Sequence, residues 1–163
     1  MTPQAPTHLC DAIVDQAWLD YNGHMNDAAY AIVFSRAVDV FMDRIAIDAR
    51  TRKSTGHTLY TLQNMIHYFK EAYLGTPLSV TGRILDHDTK RIRLWLQMTE
   101  GLAGPRLAAS EQLLISIDQS AGVPRVSNWL PATLEALDAL AEIHHQIPIP
   151  AQAGQGISLS RKR

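Results

Sequence analysis

The side chains best suited to chemistry lie together in one short stretch near the amino terminus, Trp18 to Asn26. Asp20 supplies a carboxylate and His24 an imidazole, with Asn22-Gly23 between them. The Asn-Gly pair allows positive φ and a sharp reversal, and Asn26 can cap a following helix. This turn-and-cap interpretation leaves Asp20 and His24 without a structural task.

The position of Asp20 just before a predicted helix indicates acyl transfer. Either Asn26 or Asp27 would cap that helix. The free N–H groups and partial positive charge of a helix amino terminus can stabilise an oxyanion that develops on a carbonyl. An aspartate, with a pKa of about 3.9, is ionised at neutral pH, so Asp20 can attack a carbonyl carbon or act as a base toward water. Aspartate and asparagine also occur at such turns for geometry alone.

The elements that must position this stretch are one long helix and several strands. Apolar residues recur at helical spacing from Asp27 to Ile47, which predicts a helix enclosed on most sides, with Asp39 and Asp43 on a narrow polar strip. Alternating or β-rich segments predict a meander of antiparallel strands around that helix, and Pro131 suits the start of a short carboxy-terminal helix. The predicted strands are residues 8–18, 59–69, 77–85, 91–98 and 107–117.

The composition is typical of one cytoplasmic domain. The 163 residues suit a single domain at 1–147, and the Pro- and Gly-containing basic segment 148–163 is predicted to be a mobile extension. A formal net charge of −1 offers no excess positive charge for a phosphate backbone, so nucleic acid is not expected as a partner. A single cysteine, Cys10, fits a reducing compartment, and no apolar run approaches the length of a membrane span.

The motif Asp20-x-x-Gly23-His24-Met25-Asn26, followed by Tyr30, resembles the signature of hotdog-fold acyl-CoA thioesterases of the 4-hydroxybenzoyl-CoA thioesterase type. The resemblance continues to about residue 125, and within the superfamily the chain is most similar to betainyl-CoA thioesterases. It implies an α+β hotdog fold, in which an antiparallel sheet wraps around one long central helix. It also implies an acyl-CoA substrate, no dissociable cofactor, and sites formed between two subunits of a homodimer or homotetramer.

The resemblance places Asp20 at the catalytic carboxylate position. His24 and Asn26 match motif positions and are expected either to orient water or Asp20, or only to fix the turn. Backbone amides near 23–27 fall where the thioester carbonyl is polarised. The expected substrate-binding residues are Asn22, Gly23, Met25, Asp27, Tyr30 and Tyr68.

Other polar residues are given structural interpretations. Glu71, at the end of a strand, could line a pocket, but an ion pair is expected. His67 could line an acyl pocket, but packing between sheet and helix is expected. Arg50, Arg52 and Lys53 follow the long helix and could meet coenzyme A phosphates, but a solvated basic loop is expected, and no metal is predicted. Two functions remain open from the sequence: an acyl-CoA thioesterase, or a non-catalytic acyl-CoA-binding module on the same scaffold.

Overall fold

A computed structural model describes residues 5–159 of the chain. Within that range, six strands form one antiparallel sheet and three α-helices pack around it. The elements in chain order are β1 (Thr7–Ile13), α1 (Asp27–Arg44), α2 (Ala49–Thr55), β2 (His57–Tyr68), β3 (Pro77–His87), β4 (Arg91–Glu100), β5 (Arg106–Asp118), β6 (Arg125–Val126) and α3 (Pro131–His144).

The strand order in the sheet is β1-β3-β4-β5-β2, and the short β6 also pairs with β5, at its Ile117–Asp118 end. The α+β hotdog fold is therefore confirmed, as is the hairpin that joins β3 to β4. The expectation of a simple meander is wrong, because β2 pairs with β5 at the far side of the sheet from β1. Alternation shows which residues share a face of a strand, but it does not show which strands are neighbours.

Helix α1 lies against the inner face of the sheet, and its apolar stripe forms the core. Val33, Phe34 and Ala37 are fully buried there. Asp39 and Asp43 are exposed, as the predicted polar strip requires. Ile32 is 45% exposed, so one apolar side of α1 remains uncovered in a single chain.

Two segments differ from their predicted form. The first strand ends at Ile13, because Gln16–Trp18 form a 3-10 turn whose Ala17 N–H donates to Asp15. The expected basic loop after α1 contains α2, which Asp48 caps by accepting the Thr51 N–H at 2.7 Å. Short capped helices of this kind carry too few periodic positions to stand out in a sequence.

The carboxy-terminal part of the chain packs onto the sheet. Helix α3 packs against β3. Beyond it, the Pro148 carbonyl accepts a hydrogen bond from Arg83 at 2.6 Å, and the Gly154 N–H donates to Glu111 at 2.7 Å. The segment predicted as a mobile extension therefore begins with residues that lie against the sheet, whereas its end at 160–163 is outside the described residues. None of the described helices is long and apolar enough to cross a membrane.

Candidate active site

The Asp20 carboxylate is held in a tight turn that precedes α1. Its Oδ1 accepts the Asn22 N–H at 2.8 Å and the His24 N–H at 3.2 Å. The reversal runs through Gly23, whose φ of 77° lies in the left-handed region that favours glycine. Oδ2 makes no hydrogen bond to any described residue, so one carboxylate oxygen holds the turn while the other is free to react.

The residues after the turn are tied to neighbouring segments. The Met25 N–H donates to the Ala72 carbonyl at 2.8 Å, and the Asn26 N–H donates to the Trp18 carbonyl at 2.7 Å. The His24 ring meets the Tyr73 ring edge to face, with 5.0 Å between the centroids. These contacts fix the stretch from both sides and give the carboxylate a defined position relative to α1.

The amino terminus of α1 offers one free backbone donor beside this turn. Asn26 caps the helix, because its Oδ1 accepts the Ala28 N–H at 2.9 Å. The N–H groups of residues 22–26 all donate to the bonds already described or to the Asp20 carbonyl, which accepts from Gly23. The Asp27 N–H has no acceptor among the described residues, as is normal for the first helical position. It lies where the helix dipole is positive.

Asp20 opens onto a cavity of about 560 Å³ between the turn, α1 and the end of β2. Of the nine residues expected to form the site, six line this cavity, whereas Asn22, Gly23 and Asn26 lie outside it and serve the turn and the cap. The lining residues are Asp20, His24, Met25, Asp27, Tyr30, Tyr68, Phe69, Lys70 and Glu71.

Two tyrosines form an aromatic wall of the cavity. The rings of Tyr30 and Tyr68 meet edge to face at 5.2 Å, and the Tyr68 hydroxyl donates to the Asp27 carbonyl at 3.0 Å. Burial raises the pKa of both phenols above their usual value. Both tyrosines are therefore neutral at physiological pH and present polarised aromatic rings to the cavity.

Sequence reasoning missed Phe69 and Lys70 as lining residues, and it gave Glu71 a different partner. Lys70 pairs with Glu100 at 3.4 Å. Among the described residues Glu71 forms no ion pair, and its carboxylate accepts a hydrogen bond from the Tyr73 hydroxyl at 3.1 Å. Phe69 ends a predicted strand and Lys70 and Glu71 directly follow it, so their position at a strand end was a signal in the sequence.

The other residues that the sequence analysis considered lie elsewhere. The expectation that His67 packs between sheet and helix is wrong, because the residue lies on the outer face of the sheet, where its ring stacks with Phe69 and contacts Trp95. Arg52 donates to the Ile47 carbonyl at 2.7 Å. The described part of the chain holds no group of three or more His, Cys, Asp or Glu side chains able to bind a metal ion.

Comparison with known proteins places this geometry in a family. Residues 14–137 match the model of the thioesterase-like superfamily. The chain is 37% identical to a betainyl-CoA thioesterase from Pseudomonas aeruginosa, over 87% of this chain and 88% of the relative. It is 33% identical to an L-carnitine dehydrogenase/betainyl-CoA thioesterase from Rhizobium meliloti, over 96% of this chain but only 31% of that longer protein.

A solved structure shares the whole fold. A hypothetical protein from Staphylococcus aureus, determined in complex with CoA, superposes with a TM-score of 0.86 at 27% identity, covering 95% of this chain and 97% of the other. The chain belongs to the thioesterase-like superfamily, and it is a thioester hydrolase. The prediction of an acyl-CoA thioesterase with a hotdog fold is thus confirmed for the family and the reaction.

Proposed function

We propose that the chain hydrolyses an acyl-CoA thioester with Asp20 as its catalytic carboxylate. The observation that carries this proposal is the difference between the two carboxylate oxygens of Asp20. Oδ1 is fixed by two backbone N–H groups, at 2.8 and 3.2 Å, and Oδ2 is unbound at the wall of the cavity. A carboxylate fixed in this way is already oriented, so it needs no rearrangement before reaction.

The free Asp27 N–H supplies the matching electrophilic element. A thioester carbonyl that accepts this N–H is polarised, and the positive end of the α1 dipole stabilises the oxyanion that forms on it. The Tyr68 hydroxyl, 3.0 Å from the Asp27 carbonyl, steadies the first turn of the helix. His24 and Asn26 act in this scheme as positioning residues for the turn and the cap.

Two routes use the same arrangement. In one, Asp20 attacks the thioester carbon, the C–S bond breaks with release of CoA thiol, and water hydrolyses the mixed anhydride. In the other, Asp20 takes a proton from water, and that water attacks the same carbon. Single-turnover hydrolysis in ¹⁸O-labelled water tests for the anhydride, because attack of water on the Asp20 carbonyl carbon leaves label in the protein. Label in Asp20 establishes the anhydride route. Label confined to the acid is produced by the base route and also by attack of water on the acyl carbon of the anhydride.

The lining of the cavity suits an acyl group that carries a positive charge. It contains three carboxylates, from Asp20, Asp27 and Glu71, and its one ammonium group, from Lys70, is paired with Glu100 outside it. A quaternary ammonium cannot donate a hydrogen bond, so it is recognised by aromatic faces and by carboxylates, and each cation–π contact contributes roughly 0.5–2 kcal/mol. The acyl group of betainyl-CoA carries a quaternary ammonium, and a relative of this chain is named a betainyl-CoA thioesterase. We therefore propose betainyl-CoA as the substrate.

Two substrates that differ only in charge test this assignment. The neutral isostere of betainyl-CoA is 3,3-dimethylbutanoyl-CoA, in which carbon replaces the quaternary nitrogen. We expect kcat/KM for betainyl-CoA to exceed that for the isostere by about tenfold or more, equivalent to one or two cation–π contacts. Equal values would show that the charge is not recognised, and would reassign the enzyme to short neutral acyl groups.

We propose that the enzyme works as a homodimer, or as a homotetramer built from such dimers. Strand β2 is at the edge of the sheet, and it exposes Tyr60 by 40% and Leu62 by 53%. Unpaired edge strands with apolar side chains are usually covered by another chain. Analytical ultracentrifugation tests this proposal, and an exclusively monomeric species at micromolar concentration would overturn it. We also propose a cytoplasmic location, which suits the unpaired thiol of Cys10.

A further inference from the structure

A second cavity lies on the outer face of the sheet, under the segment that follows α3. We refer to it as the outer-face pocket. Its volume is about 300 Å³, at the lower end of the range for small-molecule sites, and it shares no lining residue with the cavity at Asp20. Its walls include Arg83, Trp95, Gln97, Arg106, Ile147 and Pro148.

Arg83 is the unusual member of this lining. Its side chain is only 4% exposed, and its Nη2 donates to the Pro148 carbonyl at 2.6 Å. Its Nη1 is buried without a hydrogen-bond partner, and no carboxylate of the described residues forms a salt bridge with it. A guanidinium remains protonated even where burial lowers its pKa, as it does here. A buried cation without an anion is costly, because the hydration that it lost is not replaced.

The remaining charges around the pocket increase this imbalance. Arg106 also lines the pocket and lies over the Phe69 ring, with 3.8 Å from its Cζ to the ring centroid. Glu111, on the same face of the sheet, is already bound by Arg93 at 2.5 Å and by the Gly154 N–H at 2.7 Å. The lining therefore contains two cations and no carboxylate.

We propose that the outer-face pocket is a binding site for a small organic oxyanion with an apolar body. The Arg83 guanidinium, which has no carboxylate partner among the described residues, supplies the positive charge for the anionic oxygen, and Arg106 adds a second. Trp95, Ile147 and Pro148 form the apolar wall against which the rest of the ligand packs. The anionic oxygen can belong to a carboxylate or to a phosphate group, and the experiment distinguishes these sources.

Calorimetric titration of the purified, folded protein tests the proposal with four probes: benzoate, its neutral analogue benzamide, inorganic phosphate and CoA. We expect benzoate or CoA to bind, and benzamide to bind at least tenfold more weakly than benzoate. Arg83→Met replaces the buried charge with an apolar side chain of similar length, and it should weaken anion binding at least tenfold. Arg50→Gln removes an exposed positive charge elsewhere and serves as the matched control. Asp20→Asn should leave benzoate binding unchanged, because its cavity is separate.

The two sources give different patterns. If Arg83→Met weakens benzoate binding but not CoA binding, the ligand is a carboxylate; if it weakens CoA binding, the anion is a phosphate. If Arg83→Met does not fold, Arg106→Gln takes its place, with an expected loss of at least threefold. Equal binding by the Arg83 (or Arg106) variant and Arg50→Gln would overturn the proposal. So would the absence of binding by benzoate, phosphate and CoA up to about 10 mM, a concentration far above any specific affinity.

Discussion

Asp20 and His24 hold each other through two hydrogen bonds across a five-residue turn. The Asp20 N–H donates to the His24 carbonyl at 2.8 Å, and the His24 N–H donates to Asp20 Oδ1 at 3.2 Å. The backbone of the histidine, rather than its imidazole, therefore orients the carboxylate. This relationship explains why a carboxylate, a glycine and a capped helix occur together in so short a stretch.

The first prediction concerns Gly23, which makes the turn possible. Gly23→Ala places a Cβ at a φ of 77°, which costs on the order of 1 kcal/mol of stability. Gly122→Ala is the matched control, because Gly122 has a φ of 78°, an equally open surrounding and no contact with the site. We expect Tm to fall by a similar amount in both variants, whereas kcat/KM should fall only in Gly23→Ala. A comparable loss of activity in Gly122→Ala would contradict this.

The second prediction concerns the Tyr68 hydroxyl, which donates to the Asp27 carbonyl. Tyr68→Phe keeps the aromatic wall but removes this hydrogen bond from the first turn of α1. A hydrogen bond contributes about 0.5–1.5 kcal/mol, so we expect kcat/KM to fall roughly two- to twelvefold. The control is Tyr60→Phe on the same strand, which removes a hydroxyl bonded to Gln119 outside the cavity. If both variants lose the same activity, the position of Asp27 does not depend on Tyr68.

The third prediction concerns the pH dependence of stability. His144 is buried, its Nδ1 accepts the Ile84 N–H at 3.0 Å, and its Nε2 lies 3.1 Å from the Thr7 hydroxyl. Burial, with smaller contributions from Arg83 and His145, lowers its pKa from 6.5 to about 4. The unfolded chain therefore binds this proton more readily than the folded protein. The stabilising contribution is complete above pH 6.5 and is lost as the pH falls toward 4.

Denaturant unfolding at several pH values measures this effect. We expect the free energy of unfolding to fall by on the order of 2 kcal/mol between pH 6.5 and pH 4 because of His144. His144→Gln, whose amide oxygen can still accept the Ile84 N–H, should show a correspondingly shallower dependence on pH. His145→Gln changes the neighbouring exposed histidine and should keep the steep dependence. Identical slopes in all three proteins would contradict the prediction.

The sequence was sufficient for the long helices and the long strands, but not for α2, β6 or the arrangement of the strands. The buried stripe from Tyr30 to Phe41 was predictable, because a helix against a sheet requires apolar residues at helical spacing. The pairing of β2 with β5 was not, because any two amphipathic strands have the same alternation. The contact of Arg83 with Pro148 joins residues 65 apart, and no local pattern indicates it.

In the candidate site, too, the local turn was predictable from the sequence, but the residues brought in by the sheet order were not. The turn and cap at 20–26 were predictable, because Asn-Gly and a capping Asn have local conformational preferences. Phe69 and Lys70 reach the cavity only because β2 ends beside α1, which is a consequence of the sheet order. Sequence therefore indicated the reacting side of the site better than the side that receives the substrate.

The most direct test of the proposed catalysis is the activity of Asp20→Asn. Asparagine keeps an Oδ1 that can accept from Asn22 and His24, so the turn is retained while the anionic charge is lost. Asp39→Asn, on the exposed strip of α1, is the matched control.

Each protein is first shown to have the same circular dichroism spectrum and oligomeric state as the wild type, and CoA release from betainyl-CoA and a panel of acyl-CoAs is then measured. We expect kcat/KM of Asp20→Asn to fall by roughly 10²–10⁴, the usual contribution of a catalytic base, with little change in Asp39→Asn. Hydrolysis by folded Asp20→Asn at the wild-type rate would contradict the assignment of Asp20 as the catalytic carboxylate.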